Sequence, residues 1–526
     1  MTTPQPTSQP RRPRGLWYAA GTLLATAAGA GVGHLVAGLV SPEASPVLAV
    51  GSAVVDATPT PVKEWAVSTF GTADKPILIG SVTIVTLLVA GAIGLVARSR
   101  RTLGLSLLGA LALTSVVAAA MRPTSAPVDL LPGFVTAIVG VLAMGWLLGL
   151  LDGLGAADAD PAAGAGATSS AFEDGRSDRR HVLIAAAGLG AVAATGGALG
   201  QALGGGVSPS SVTLPTPAGP LPPLPEGLER ATRGIAPFST PNTDFYRIDT
   251  ALVIPRVDPD SWKLTIDGEV DNPFEITYAE LLAMPLIERD VTLTCVSNEV
   301  GGPYVGGARW LGVRTSDLLA QAGVRPGVEQ IFSHSTEGMT ISTPVQALTD
   351  DRESLVAVGM NGEPLPARHG FPARLVTPGL YGFVGATKWL TRMEATTYAA
   401  GSAYWTDRGW ATDAPILTQS RIDTPRGLST TSAGQVMIGG VAWAQQRGIQ
   451  QVEVRIDEEP WQEATLGPDA GIDYWRQWYL PWGASPGRHT LTVRATDSTG
   501  ATQPEERQDP FPEGATGWHS IVVVID

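Results

Sequence analysis

Thr292-Leu293-Thr294-Cys295-Val296-Ser297-Asn298 holds the only cysteine in a chain of 526 residues. A β-branched and apolar run that gives way to Ser and Asn reads as a strand entering a loop, with the thiol at the junction. A lone thiol excludes an internal disulfide, and it excludes a four-cysteine zinc or iron–sulfur site. Three roles stay open at this point. Cys295 is a small buried hydrophobe, a nucleophile, or a single thiolate ligand to a metal whose other ligands come from a cofactor.

Outward from that loop the composition splits the chain in two. Up to Leu203 it is rich in Ala, Gly, Leu and Val, with apolar stretches at 16–40, 76–97, 103–121, 131–151 and 181–203. Each has about the 17–25 residues a helix needs to cross a hydrocarbon core. Arg11, Arg12 and Arg14 precede the first stretch, Arg98, Arg100 and Arg101 fill the turn between the second and third, and Arg176, Arg179 and Arg180 precede the fifth. These clusters alternate with weakly basic loops, which predicts a multi-pass protein of a bacterial cell membrane with a cytoplasmic N-terminus and everything after Leu203 outside. Ser177-Asp178-Arg179-Arg180-His181-Val182-Leu183, leading into an Ala-rich stretch, reads either as a basic anchor or as an internal twin-arginine-like export signal.

The charge is equally uneven. Residues 1–204 are close to neutral, whereas the remainder carries 23 basic and 38 acidic side chains. So acidic a surface argues against nucleic-acid binding. The Pro/Gly/Ser-rich run 204–225 reads as a linker. Residues 226–396 mix short strands (Trp262–Ile266, Val291–Cys295, Gln330–Ser333, Arg374–Val376) with helix starts at Thr277-Tyr278-Ala279-Glu280 and Thr315-Ser316-Asp317. Residues 415–526 turn to short alternating strands separated by Gly, Pro and Asp, a pattern that predicts an antiparallel β-sandwich. The expected architecture is an α-helical membrane domain, an α+β domain and a β-sandwich.

Three stretches of the α+β part concentrate polar residues beyond structural need. They are Thr240-Pro241-Asn242-Thr243-Asp244-Phe245-Tyr246-Arg247, the Cys295 loop running on to Gly306-Gly307-Ala308-Arg309-Trp310, and Pro366-Ala367-Arg368-His369-Gly370-Phe371-Pro372-Ala373-Arg374 running on to Thr387-Lys388-Trp389. In this order and spacing they resemble the sulfite oxidase family of molybdopterin oxidoreductases, over the whole chain from about residue 235. The resemblance implies a molybdenum–molybdopterin cofactor with one pterin, bound through Cys295 as thiolate. It implies that Arg247 lies near the metal and cofactor with Tyr246 and Asp244 on the same cofactor-binding loop, that Asn298 holds the ligand loop, and that His369, Arg374, Ala386, Thr387 and Lys388 contact the pterin. A buried phosphate calls for such Arg forks and Lys charge. The resemblance also implies an immunoglobulin-like dimerisation domain at the C-terminus, with Gly440-Val441-Ala442-Trp443 among its motifs, and hence a homodimer. Arg309 stays open between a place in the site and simple stacking on Trp310.

The departures fall where substrate would sit. Where sulfite oxidases continue C-x-x-N-R-R, this chain has Asn298-Glu299-Val300; Met339 stands near the place of an expected tyrosine; Phe511-Pro512-Glu513-Gly514 replaces a motif carrying an arginine. A pocket without these cations is a poor site for a dianion, so the expectation is oxygen-atom transfer on a small molecule other than sulfite. No haem or iron–sulfur cluster is expected. There is no C-x-x-C-H motif, and His34 is the one histidine well inside a span, with His181 at the edge of another. Electrons then pass to a separate partner, a membrane cytochrome or quinone-linked protein. The alternative function is a non-enzymatic extracellular binding or assembly module that keeps the fold.

Overall fold

The computed structural model describes residues 15–157, 170–203 and 211–526. Arg11, Arg12, Arg14 and residues 204–210 of the linker lie outside the described residues. The chain divides into two compact units, Met1–Gly205 with Ala251–Val253, and Gly206–Thr250 with Ile254–Asp526.

The first unit is helical: α1 (Gly15–Val40), α2 (Pro46–Ala57), α3 (Thr60–Phe70), α4 (Asp74–Ala97), α5 (Arg101–Ala120), α6 (Leu131–Ala157) and α7 (Ser170–Leu203). Among the described residues five helices are long and apolar enough to cross a membrane, and they coincide with the five stretches read from sequence. The helices α2 and α3 were not anticipated; they fill the first loop. Small residues let α1 approach its neighbours closely. A Cβ on Gly31 would stand 2.6 Å from Ala193 O, and one on Gly29 2.7 Å from Thr136 O, the close-contact packing typical of helices in lipid. Two ion pairs lie near helix ends. Arg101 pairs with Asp152 at 3.1 Å and Tyr18 bonds the same carboxylate, while Arg122 pairs with Glu43. Large apolar side chains such as Leu88 and Leu142 face outward between.

The second unit contains two sheets around one core, then two more. The strands are β1 (Lys263–Gly268), β2 (Phe274–Thr277), β3 (Ile287–Thr294), β4 (Val305–Arg314), β5 (Gln330–Ser335), β6 (Thr340–Pro344), β7 (Leu355–Met360), β8 (Glu363–Pro364), β9 (Arg374–Val376) and β10 (Leu390–Thr396). One sheet runs β2-β1-β10-β5-β6, with β1 and β10 parallel; the other runs β3-β4-β7-β8, with β9 also paired to β7. Trp310, Leu264, Ile266, Val356 and Leu375 are among the side chains that fill the core between them. Helix α8 (Tyr278–Ala283) begins with the expected capping box, Thr277 Oγ1 accepting from Glu280 N–H. The second expected cap differs. Helix α9 (Thr315–Ala322) is preceded by Arg314 at the N-cap, and the Thr315 hydroxyl donates instead to Leu348 O at 2.6 Å.

The described part of the predicted linker is tied down. Ala218 N–H donates to Leu286 O at 2.8 Å, Leu221 N–H donates to Glu288, and Val212 and Leu214 pack on the core. Arg309 binds this strap through Pro222 O at 2.7 Å while holding Asp290 with two bonds of 2.8 Å. The stacking on Trp310 comes from Arg374, 5.0 Å from the ring centroid, not from Arg309. Beyond residue 415, a sheet of Gln419–Thr424, Gly434–Trp443, Arg476–Ala484 and Thr465–Leu466 faces one containing Ile449–Ile456, Gly487–Asp497 and His519–Ile525. They share a core that includes Ile438, Trp478, Val452 and Val493.

Candidate active site

Strand β3 ends at Thr294, and the next residue, Cys295, opens the loop that returns as β4. The loop is closed by its own polar groups. Cys295 N–H donates to Tyr304 O at 3.0 Å, Asn298 N–H to Cys295 O at 3.1 Å, and Tyr304 N–H to Asn298 Oδ1 at 2.7 Å. Gly301 takes φ +80°, and the His519 ring lies where a Cβ would be. From the C-terminal part of the chain, Arg421 on the strand Gln419–Thr424 donates to Gly302 O at 2.8 Å, and Arg507, between strands, to Val300 O at 3.5 Å. The thiol of Cys295 is buried, which pushes its pKa up; hydrogen bonds from Ser297 and the charge of Lys388 act in the opposite direction.

Beside it lies a group of cations. Arg247 binds Asp249 with two bonds, Nε–Oδ2 at 2.8 Å and Nη2–Oδ1 at 3.1 Å, and Lys388 Nζ bonds the same Oδ2. The Asp249 side chain is 4% exposed. Burial lowers the Lys388 pKa to about 8, against the raising effect of Asp249. Arg374, at the start of β9, is 5% exposed. Its guanidinium reaches His369 O at 3.0 Å, Leu375 O at 3.3 Å and Ala386 O at 3.4 Å. Among the described residues no carboxylate pairs with it, and burial brings its pKa down to about 10. His369 donates from Nε2 to Asn242 O at 2.9 Å, and burial lowers its pKa to about 3, so it is a neutral acceptor at Nδ1.

Gly370 draws these groups together. At φ +113°, a Cβ there would lie 3.1 Å from both Arg374 Cβ and Lys388 Cβ. Trp389 Nε1–H donates to Ala367 O and Trp389 N–H to Gly370 O, which clamps the 367–370 turn to the lysine segment. Thr387 Oγ1 meets Ser333 Oγ at 2.6 Å, and Thr387 O accepts from Leu375 N–H. Several buried polar atoms here have no partner among the described residues: Thr294 Oγ1, Asn298 Nδ2 and Thr377 Oγ1.

Of the residues singled out from sequence, Cys295, Tyr246, Arg247, Asn298, His369, Arg374, Ala386, Thr387 and Lys388 come together in this one region. Tyr246 feels the charges of Cys295 and Arg374 and stacks on Phe245 at 5.2 Å. Asp244 does not join them; it is exposed and bonded to Thr243. Asp249 is the carboxylate that does join, and no motif marked it. Tyr381, which also feels Cys295, was missed because it sits 86 positions away; so were Arg421, Arg507 and His519. Glu299 is exposed on the ligand loop, and Phe511 lies edge-on to Trp410 at 5.2 Å.

Residues 251–405 match the family described as the oxidoreductase molybdopterin binding domain. Mitochondrial sulfite oxidase of Homo sapiens is 30% identical over 318 residues, which cover 51% of this chain and 58% of that protein. The chain therefore spans little more than half the length of that relative. An uncharacterized oxidoreductase of Bacillus subtilis, YuiH, is 33% identical over 162 residues, covering 31% of this chain and 79% of YuiH. The crystal structure of the sulfane dehydrogenase SoxCD from Paracoccus pantotrophus aligns with a TM-score of 0.47 at 24% identity, over 53% of this chain and 80% of that one. This chain belongs to the sulfite oxidase family of molybdopterin-dependent oxidoreductases.

Proposed function

We propose that the chain is a membrane-anchored, outward-facing oxidoreductase in which Cys295 is the protein ligand to the molybdenum of a single molybdopterin. One observation carries this reading: Arg374 is a buried guanidinium with no carboxylate among the described residues, in the same cluster as Arg247, Lys388, neutral His369 and the buried thiol. An isolated buried charge is costly unless an opposite charge and hydrogen bonds meet it. The phosphate of the pterin is such an anion. The unpartnered Thr294 Oγ1, Asn298 Nδ2 and Thr377 Oγ1 fit a polar guest of the same kind.

When bound, the group supplies two-electron oxygen-atom transfer. The chain's own part is to bind and orient. Arg374 and Lys388 offer a fork and a point charge to phosphate, and His369 Nδ1 accepts a hydrogen bond. Tyr246, whose pKa burial raises, stays a neutral donor beside Cys295. Bound metal would offset the burial that now favours the protonated thiol.

The substrate in this reading is an uncharged or weakly charged oxygen donor or acceptor rather than sulfite. Glu299 stands exposed on the ligand loop, and the nearby Arg421 and Arg507 are spent on backbone carbonyls. The five long helices span the membrane with Arg98, Arg100 and Arg101 inside, and Arg179-Arg180 acts in export. The C-terminal two-sheet part is an immunoglobulin-like dimerisation module. Electrons pass to a separate membrane cytochrome or quinone-linked protein.

The test is metal and pterin analysis of protein matured in a host that makes the cofactor. About one molybdenum per chain, lost in Cys295→Ser, supports the proposal; wild-type protein free of molybdenum and pterin sinks it. Rapid turnover of sulfite, with no turnover of uncharged sulfoxides, would overturn the substrate part alone.

A further inference from the structure

We infer that Asp249 is the positioning residue of the cofactor's anion seat, holding Arg247 and Lys388 together and setting the seat's net charge to match a phosphate dianion. This inference rests on the reading of the cluster given above. Two buried cations side by side repel unless an anion lies between them. Asp249 lies between them, bidentate to Arg247 and bonded to Lys388, with its side chain 4% exposed.

The charge count gives the carboxylate its meaning. Arg247, Lys388 and Arg374 contribute three positive charges, Asp249 removes one, and His369 is neutral. Two positive charges remain, the amount that a phosphate monoester dianion cancels. An ion pair serving the fold alone would be balanced within itself. Here one carboxylate serves a cluster that also contains Arg374, whose charge acts on Lys388. With Asp249 removed, the same seat holds an excess positive charge that an external anion must offset.

The experiment uses the full-length chain in detergent, purified from a host that makes molybdopterin and from one that cannot. The thermal midpoint is followed against inorganic phosphate, and molybdenum and pterin are quantified. For cofactor-free Asp249→Asn the midpoint should fall by roughly 5–10 °C in phosphate-free buffer. Phosphate should then recover most of that loss, raising the midpoint of this variant by more than it raises that of the wild type. Loaded Asp249→Asn should lose much less, and Asp249→Glu should stay near wild type in both forms. The double variant Asp249→Asn/Lys388→Gln restores the net seat charge and should regain the wild-type phosphate response.

Equal losses in the loaded and cofactor-free single variant, with no added response to phosphate, would make Asp249 an ordinary fold contact and overturn the inference. Should the single variant yield no folded protein, the double variant decides. Folding with a wild-type phosphate response supports the inference, and failure to fold overturns it. Wild-type protein that never holds molybdenum would defeat the proposed function, while the phosphate series would still decide the role of Asp249.

Discussion

Replacing Arg374 with Met separates a residue that serves a guest from one that serves the fold. The side chain is 5% exposed, and its pKa falls to about 10 from the ordinary 12.5 because burial disfavours the charge. At about 1.4 kcal/mol for each pH unit, carrying that charge costs roughly 3 kcal/mol. Against it stand bonds to three backbone carbonyls, of which only that to His369 O, at 3.0 Å, is near ideal length. Such bonds from a charged donor total about 2–3 kcal/mol here. The two terms nearly cancel, and Met keeps most of the stem's packing against Trp310. Cofactor-free Arg374→Met should therefore unfold within about 1–2 kcal/mol of wild type. Cofactor retention should fall at least roughly thirtyfold, since losing one partner of a buried charged contact costs about 2–5 kcal/mol. Thermal unfolding of the cofactor-free protein and molybdenum and pterin content after gel filtration measure the two sides. A stability loss of about 4 kcal/mol or more, or full retention of the cofactor, would instead make Arg374 a residue of the fold.

Gly370→Ala should cost about 1–3 kcal/mol for the φ of +113° and also lower cofactor content, because the new methyl meets Arg374 and Lys388. Gly362→Ala, with φ +80° but nothing within 4 Å, should show the strain without the cofactor loss; equal cofactor contents would undo this distinction. Stability should fall as the pH drops below 6.5, because His369 and His519 are held neutral to about 3 and about 4 while the unfolded chain takes up protons. His519→Gln should flatten the dependence of urea midpoints between pH 7 and 4, and an unchanged slope would exclude this residue as a cause. A reporter fused after Leu203 should be active only outside the cell, and Arg179→Lys/Arg180→Lys should strand it inside if the pair acts in export. Normal export of that variant reduces the pair to an anchor.

Much of the cluster was legible because its residues sit in local motifs with distinctive chemistry. Arg374–Val376 is a strand as read, His369 and Lys388 lie on the 366–374 and 387–389 stretches, and Cys295 is at the strand end. The apolar helices were legible from length alone. What escaped reading was what depends on pairing across the chain. Asp249 lies 139 residues from Lys388 and looks like any loop acid until the two meet. Asp244, five residues earlier, carries the same chemistry but is exposed and bonded to Thr243. Arg421, Arg507 and His519 reach the Cys295 loop only because the C-terminal strands fold back on it. The linker looked free because Pro and Gly dominate it, yet Arg309 and Glu288 supply partners that its composition does not announce.

The central claim is that the one thiol of this chain binds the metal. X-ray absorption at the molybdenum edge of the full-length protein, compared with Cys295→Ser, tests it most directly. The wild type should show one more sulfur neighbour than the two that a single pterin supplies, and the serine variant, in whatever molybdenum it retains, should lack that extra sulfur. An identical sulfur count in the two proteins would contradict the claim.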